Sequence, residues 1–164
     1  MGLMKENKIA SMNNEALQNL ISGWIPELEF SELESQFLNI TVQPAQLHKL
    51  MLQLKNTTTT KFDYLFCLSG VDWGTDLGVV YHLESTEFRH TIVVKVKTSD
   101  RENPIFDSVC DIWQTADFHE REVFDFFGIK FNNHPNMKRL FLTEDWSGFP
   151  LRKDYVDEIN MIVK

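Results

Sequence analysis

Between residues 62 and 97, apolar side chains recur at every second position: Phe62, Tyr64, Phe66 and Leu68, then Val79, Tyr81 and Leu83, then Ile92, Val94 and Val96. A period of two belongs to β-strands, because successive side chains leave opposite faces of a sheet. Thr91, Lys95 and Lys97 hold the alternate positions of the third run, which gives the sheet a wet face. Asp72-Trp73-Gly74 and the polar stretch Ser85 to Arg89 supply turns between the runs. Three strands with one wetted face predict a mainly antiparallel sheet.

Helical periods flank these runs. Asn14 is placed to cap a short helix with Leu17, Leu20 and Ile21 on one side, stopped by Gly23 and Pro26. Phe37 to Val42 reads as a strand, after which Pro44 opens a helix striped by Leu47, Leu50, Met51 and Leu54. Ser108 to Phe127 is helical in period, and Asp117 with Glu120 forms a D-x-x-E capping box. The box predicts two helices joined near Ala116 as readily as one rod, and Gly128 ends the segment. The fold class predicted is α+β: a mostly antiparallel sheet with helices packed on one face, followed by a long irregular C-terminal tail. Its division is a globular body over 1–128 and an extended docking tail over 129–164.

At 164 residues and 43% hydrophobic content, one core of good size is expected. A net charge of -8 speaks against nucleic acid as a partner, since phosphate binding needs clustered Lys and Arg. Cys67 and Cys110 are far apart and form no C-x-x-C pair, so buried, reduced thiols are expected. No run of about 18 apolar residues and no signal-peptide core is present, which predicts neither a membrane span nor export.

Chemistry-bearing motifs are sparse. His119-Glu120 begins like the zinc helix H-E-x-x-H, but Val123 stands where the second histidine must lie. G-x-S-x-G, G-x-G-x-x-G and the P-loop pattern are absent from the sequence. On these grounds no catalytic, cofactor or metal site is expected; the rival reading is a free-standing metal or acid/base enzyme using His119, Glu120 and His134. Glu120 falls mid-face on the stripe of Val123, Phe124 and Phe127, where a carboxylate requires a cation or several donors. Arg139 or Arg152 is its expected partner. Arg121 and Asp125 are i,i+4 neighbours and read as a solvated pair contributing about 0.3–0.5 kcal/mol. His134-Pro135 reads as a bend with local hydrogen bonding.

Beyond Gly128 no clear period persists, yet Phe131, Leu140, Phe141, Trp146, Phe149 and Leu151 need cover. Lys130, Lys138, Arg139, Arg152 and Lys153 outnumber Glu144, Asp145 and Asp154 there, whereas the body is acidic. A basic, aromatic tail on an acidic body reads as a docking surface.

Glu120-Arg121-Glu122, Asp125, Gly128-Ile129, Phe131, His134-Pro135, Arg139, Gly148 and Pro150-Leu151-Arg152-Lys153-Asp154-Tyr155 together resemble the C-type subunit of the complex I family. Ile112-Trp113 and Ala116-Asp117 extend the likeness upstream. Phe118 and Phe149 depart from it, standing where Trp and His are common. The resemblance implies a cofactor-free accessory subunit in the peripheral arm of a respiratory NADH-quinone oxidoreductase, a proton-translocating translocase. Flavin and iron-sulfur clusters are then expected in partner subunits, and the motif residues at subunit interfaces. The implied partner is the D-type subunit with other peripheral-arm subunits, on the cytoplasmic side of the cell inner membrane. NADH and quinone would be met only through the assembled complex. The same pattern fits the equivalent subunit of a membrane-bound hydrogenase or a ferredoxin-fed quinone reductase.

Overall fold

The computed structural model describes residues 11–25, 27–31 and 35–157. Helix α1 (Asn14–Ile21) is followed by strands β1 (Glu29–Ser31) and β2 (Leu38–Val42), a 3-10 turn at Pro44–Gln46, and helix α2 (Leu47–Asn56). Strands β3 (Tyr64–Asp72), β4 (Leu77–Glu84) and β5 (Thr91–Thr98) come next, then β6 (Ile105–Asp107), helix α3 (Ala116–Phe127) and β7 (Lys130–Asn132).

The main sheet has five strands in the order β1-β2-β5-β4-β3. It is mostly antiparallel, with the β2–β5 pair parallel, so the fold is α+β as periodicity predicts. Register explains the core: Leu83 lies opposite Ile92 and Tyr81 opposite Val94, while Leu38 and Ile40 meet the same two positions of β5 from the other side. All six are buried, together with Leu47, Leu50, Met51 and Leu54 from α2. Burying a side chain of this size stabilises by about 1.5–3 kcal/mol.

One strand departs from simple alternation. A bulge between Leu65 and Cys67 in β3 brings both Leu65 and Leu68 to the core. Tyr64 and Phe66, expected beside Leu68, are instead 46% and 38% exposed. One extra residue reverses the facing of everything on one side of it. Phe62 is buried ahead of the strand, and its carbonyl accepts from Trp113 Nε1 at 3.2 Å.

The helix ends also differ in detail. Asn13, not Asn14, caps α1 by accepting from the Ala16 N–H at 2.9 Å. Pro26, read as the stop, lies outside the described residues. Ser108 to Thr115 is neither a helix nor half of a rod; it runs through turns before α3 begins, and Asp117 with Glu120 forms no capping box. Glu120 is drawn away by stronger partners. Gly128 ends α3 as expected, at φ 70° with its N–H donating to Phe124 O at 2.8 Å.

After Gly128 the chain stays with the body for one more strand. β7 pairs in parallel with β6, and Ile129 and Phe131 enter the core. Irregular structure begins at Asn133, itself at φ 63°.

Candidate functional site

Helix α3 organises the motif residues by sending its charged side chains in two directions. Glu120, fully buried, points at the turn before the helix. Its Oε2 accepts from the Ser108 hydroxyl at 2.6 Å and the Cys110 thiol at 3.3 Å, and its Oε1 accepts from the Val109 N–H at 2.8 Å. The expected Arg139 or Arg152 is not there. The nearest ionisable nitrogen is His134 Nε2, 4.0 Å away. Three donors from one turn satisfy the carboxylate in place of a guanidinium.

Burial pushes the Glu120 carboxyl up, and the bonds from Ser108, Val109 and Cys110 with the nearby His134 offset this only in part. Burial likewise pushes the Cys110 thiol up to about 12, helped by the carboxylates of Glu120 and Asp117. The Tyr81 phenol is raised well above its usual value, by burial first and then by Glu120 and Cys110. Its hydroxyl is buried without a hydrogen-bond partner among the described residues.

His134 bonds locally, as its place before Pro135 suggests. Nδ1 accepts from the Asn136 N–H at 3.0 Å, so the proton sits on Nε2, which donates to the Asp117 carbonyl at 3.1 Å. Asp117 Oδ1, 3.5 Å from that nitrogen, is buried and lacks a hydrogen bond among the described residues. Cys110, Glu120 and His134 offer ligand atoms that all lie within 4.8 Å of one another. His119 takes no part in this cluster.

Arg121 and Asp125 face the C-terminal segment, and both are buried. They do not pair with each other on a solvated flank. Arg121 donates to the Lys138 and Arg139 carbonyls at 3.3 Å each, with its guanidinium 5.6 Å from the Phe118 ring centre. Asp125 Oδ1 accepts from Arg139 at 3.0 Å, and Oδ2 accepts from the N–H groups of Leu140, Phe141 and Leu142 at 3.1, 2.6 and 3.0 Å. Burial raises the Asp125 carboxyl, but these bonds outweigh it and hold the group below its usual value. A carboxylate gathering successive backbone N–H groups works as a mould for the loop.

Further along, two guanidinium groups approach the Phe149 ring, Arg139 at 5.3 Å and Arg152 at 5.0 Å from its centre. Its ring presses on Gly128 so closely that a Cβ there would meet it at 2.4 Å. Arg152 donates to the carbonyls of Phe127 at 2.6 Å and Arg101 at 2.9 Å. Asp72 receives the Lys153 N–H at 2.9 Å and a bidentate grip from Arg101 at 2.8 Å. Arg101 also reaches Asp154 at 2.9 Å. The Arg101 guanidinium holds the Asp72 carboxyl well below the usual carboxylate range. Neither residue stands out in the sequence: Asp72 reads only as a turn residue, and it does bond the Gly74 N–H at 2.7 Å.

The motif thus divides. Arg121, Asp125, Gly128, His134, Arg139 and Arg152 fasten residues 133–157 to the body, while Glu120 ties α3 to the turn before it. Glu122, Pro135, Leu151, Lys153 and Asp154 stay exposed, with Pro150 and Tyr155 half-buried. Phe118, Phe141 and Leu151 are 63%, 64% and 55% exposed. Leu151 and Glu122 rim a shallow groove of about 210 Å³ floored by Leu68, Val123, Phe126 and Phe127. Among the described residues no helix is long and apolar enough to cross a membrane.

Comparison with known proteins places this arrangement. Residues 40–159 match the family model of the respiratory-chain NADH dehydrogenase 30 kDa subunit. The C/D subunit of NADH-quinone oxidoreductase from Phocaeicola vulgatus is 51% identical over 122 residues, covering 74% of this chain and 23% of that protein. The chain therefore spans about a quarter of the length of such C/D relatives. The C subunit of the same enzyme from Acidothermus cellulolyticus is 39% identical over 132 residues, covering 78% of this chain and 68% of the relative. Among solved structures, a chain of the membrane-bound sulfane sulfur reductase, an archaeal respiratory membrane complex, superposes with a TM-score of 0.74 at 25% identity. That match covers 88% of this chain and 86% of the other. By the family match over residues 40–159, the chain belongs to the 30 kDa subunit family of respiratory-chain NADH dehydrogenases.

Proposed function

We propose that this chain is the C-type subunit in the peripheral arm of an NADH-quinone oxidoreductase, an accessory part with no flavin or iron-sulfur cluster of its own. It serves assembly and the geometry of electron transfer from NADH to quinone, coupled to ion translocation. The observation that carries this reading is how the motif charges are used. Arg121, Asp125, Arg139 and Arg152 are turned inward to mould residues 133–157 against α3, while Phe118, Phe141 and Leu151 remain outside. Rigid aromatic and aliphatic side chains on a preformed surface suit a permanent protein interface.

The proposed partner is the D-type subunit, a choice supported by relatives whose names join C and D in one protein. In this reading residues 133–157, with the exposed positions of α3, are the docking face, and the complex holds the chain peripherally at the cytoplasmic side of the inner membrane. Gentle native purification of the tagged chain, with mass identification of its companions, tests it. Co-purification of a D-type subunit and an NADH-oxidising flavoprotein is expected; recovery of the chain alone from intact membranes would refute the proposal. A second reading is favoured by the likeness to the sulfane sulfur reductase chain: the same subunit in a complex fed by a donor other than NADH. A D-type partner without the NADH-oxidising module would select that reading.

A further inference from the structure

We propose that Cys110, Glu120 and His134, joined by Asp117, bind one thiophilic divalent cation of the zinc class. The three donors differ in chemistry and come from separate stretches of chain: the turn before α3, α3 itself, and the bend after β7. Sγ of Cys110, a carboxylate oxygen of Glu120 and Nε2 of His134 lie within 4.8 Å of one another. Two of the edges are 3.3 Å, thiol to carboxylate, and 4.0 Å, imidazole to carboxylate. Bond lengths of about 2.0–2.3 Å in a tetrahedral zinc site imply ligand separations of roughly 3.3–3.8 Å, so small shifts seat the ion.

Two further groups point to the same place. Asp117 lies three residues before Glu120 on the same helical face, and its Oδ1 is buried, 3.5 Å from His134 Nε2 and without a hydrogen bond among the described residues. It stands outside the three-donor group, against His134, and completes the set as a fourth ligand once an ion is seated. The D-x-x-E pair, which fails as a capping box, then acts as a pair of ligands one turn apart. The Tyr81 hydroxyl is also fully buried and, among the described residues, without a hydrogen-bond partner, and the ionisable groups that act on it are Glu120 and Cys110. A phenol so placed can donate to a ligand oxygen or sulfur from outside the coordination shell. Ser108 and the Val109 N–H already hold the Glu120 carboxylate in position.

Binding balances simply. The Cys110 S–H bond breaks and a sulfur–metal bond forms, releasing one proton to solvent. His134 moves its proton from Nε2 to Nδ1 and coordinates through the freed lone pair, with no net proton change. That move breaks two bonds, the one from the Asn136 N–H to Nδ1, in an exposed turn, and the one from Nε2–H to the Asp117 carbonyl.

The test uses the purified full chain stripped with a chelator and titrated with cobalt(II) alone, then with zinc(II) in competition with a chromogenic chelator. The expected result is one ion per chain and a thiolate-to-cobalt charge-transfer band in the near ultraviolet. One proton per ion should appear in weakly buffered solution. Cys110→Ser should abolish the band and weaken zinc binding at least tenfold, while Cys67→Ser keeps both. Absence of the band in the wild-type chain at stoichiometric cobalt overturns the proposal without any variant. So does equal zinc affinity in wild type and Cys110→Ser, or a band that follows Cys67.

Discussion

Glu120 and Asp125 sit five positions apart on one helix and are both fully buried, yet burial acts on them with opposite net results. Three donors leave Glu120 raised, because together they offset only part of the desolvation penalty. Three backbone N–H groups and a guanidinium leave Asp125 lowered. The sign of the pH response follows. A carboxyl whose folded pKa is depressed contributes stability that is present above its unfolded value, about 4, and is lost as pH falls through the folded value. Asp125 and Asp72 both belong to this class. Urea midpoints should therefore decline as pH drops below about 5, and Asp125→Asn should lower the midpoint at pH 7 while flattening that decline. A parallel decline in wild type and variant would remove Asp125 as a source. Replacing Glu120 by Ala strands the Ser108 hydroxyl and the Val109 N–H in a dry interior and should destabilise by about 3 kcal/mol in chemical denaturation. Glu120→Gln, which keeps an acceptor for these donors, should cost less than half as much. The need of Glu120 for partners was legible from its place on an apolar face. Their identity was not, because Ser108 and Val109 are brought to it by a turn that carries no periodic signal.

At the scale of elements, β2 to β5 were legible because alternation is a local property, and α2 was legible for the same reason at the helical period, whereas the three-residue strands β1, β6 and β7 are too short to show a period. The bulge in β3 was invisible because a single extra residue leaves composition and average spacing unchanged. Glycines set how closely elements approach. Gly78 lies so near β5 that a Cβ would meet the Val96 carbonyl oxygen at 2.0 Å, and Gly128 combines φ +70° with the Phe149 ring at 2.4 Å. Gly128→Ala should therefore cost about 1–3 kcal/mol through backbone strain, more once Phe149 is displaced. Loss of Phe149 packing would show as increased cleavage of residues 138–155 by a protease cutting after Lys and Arg. If Gly128→Ala leaves both the unfolding midpoint and the cleavage pattern unchanged, the contact with Phe149 contributes nothing.

For the molecule as a whole, the C-terminal segment behaves as a strap, and Arg152 is its main fastening. One guanidinium reaches the end of α3 through Phe127 O and the loop after β5 through Arg101 O, while its plane lies by Phe149. Arg152→Ala should make the chain beyond Lys138 protease-sensitive, leave the sheet's unfolding free energy within about 1 kcal/mol of wild type, and reduce recovery of the chain in its complex. Loss of the whole fold, or full recovery with a loosened strap, would each contradict this division of labour. Hydrophobic periodicity by itself determined the α+β class, the antiparallel strands and the helix that carries the motif, since these follow from which face of each element must leave water. The ordered motif from Glu120 to Tyr155 determined the family. Only the tertiary structure decided which donor meets which acceptor: Asp125 with Arg139, Asp72 with Arg101, Glu120 with the Ser108 turn. Charged partners are chosen by proximity after the chain has closed, and proximity between residues far apart in sequence leaves no periodic trace.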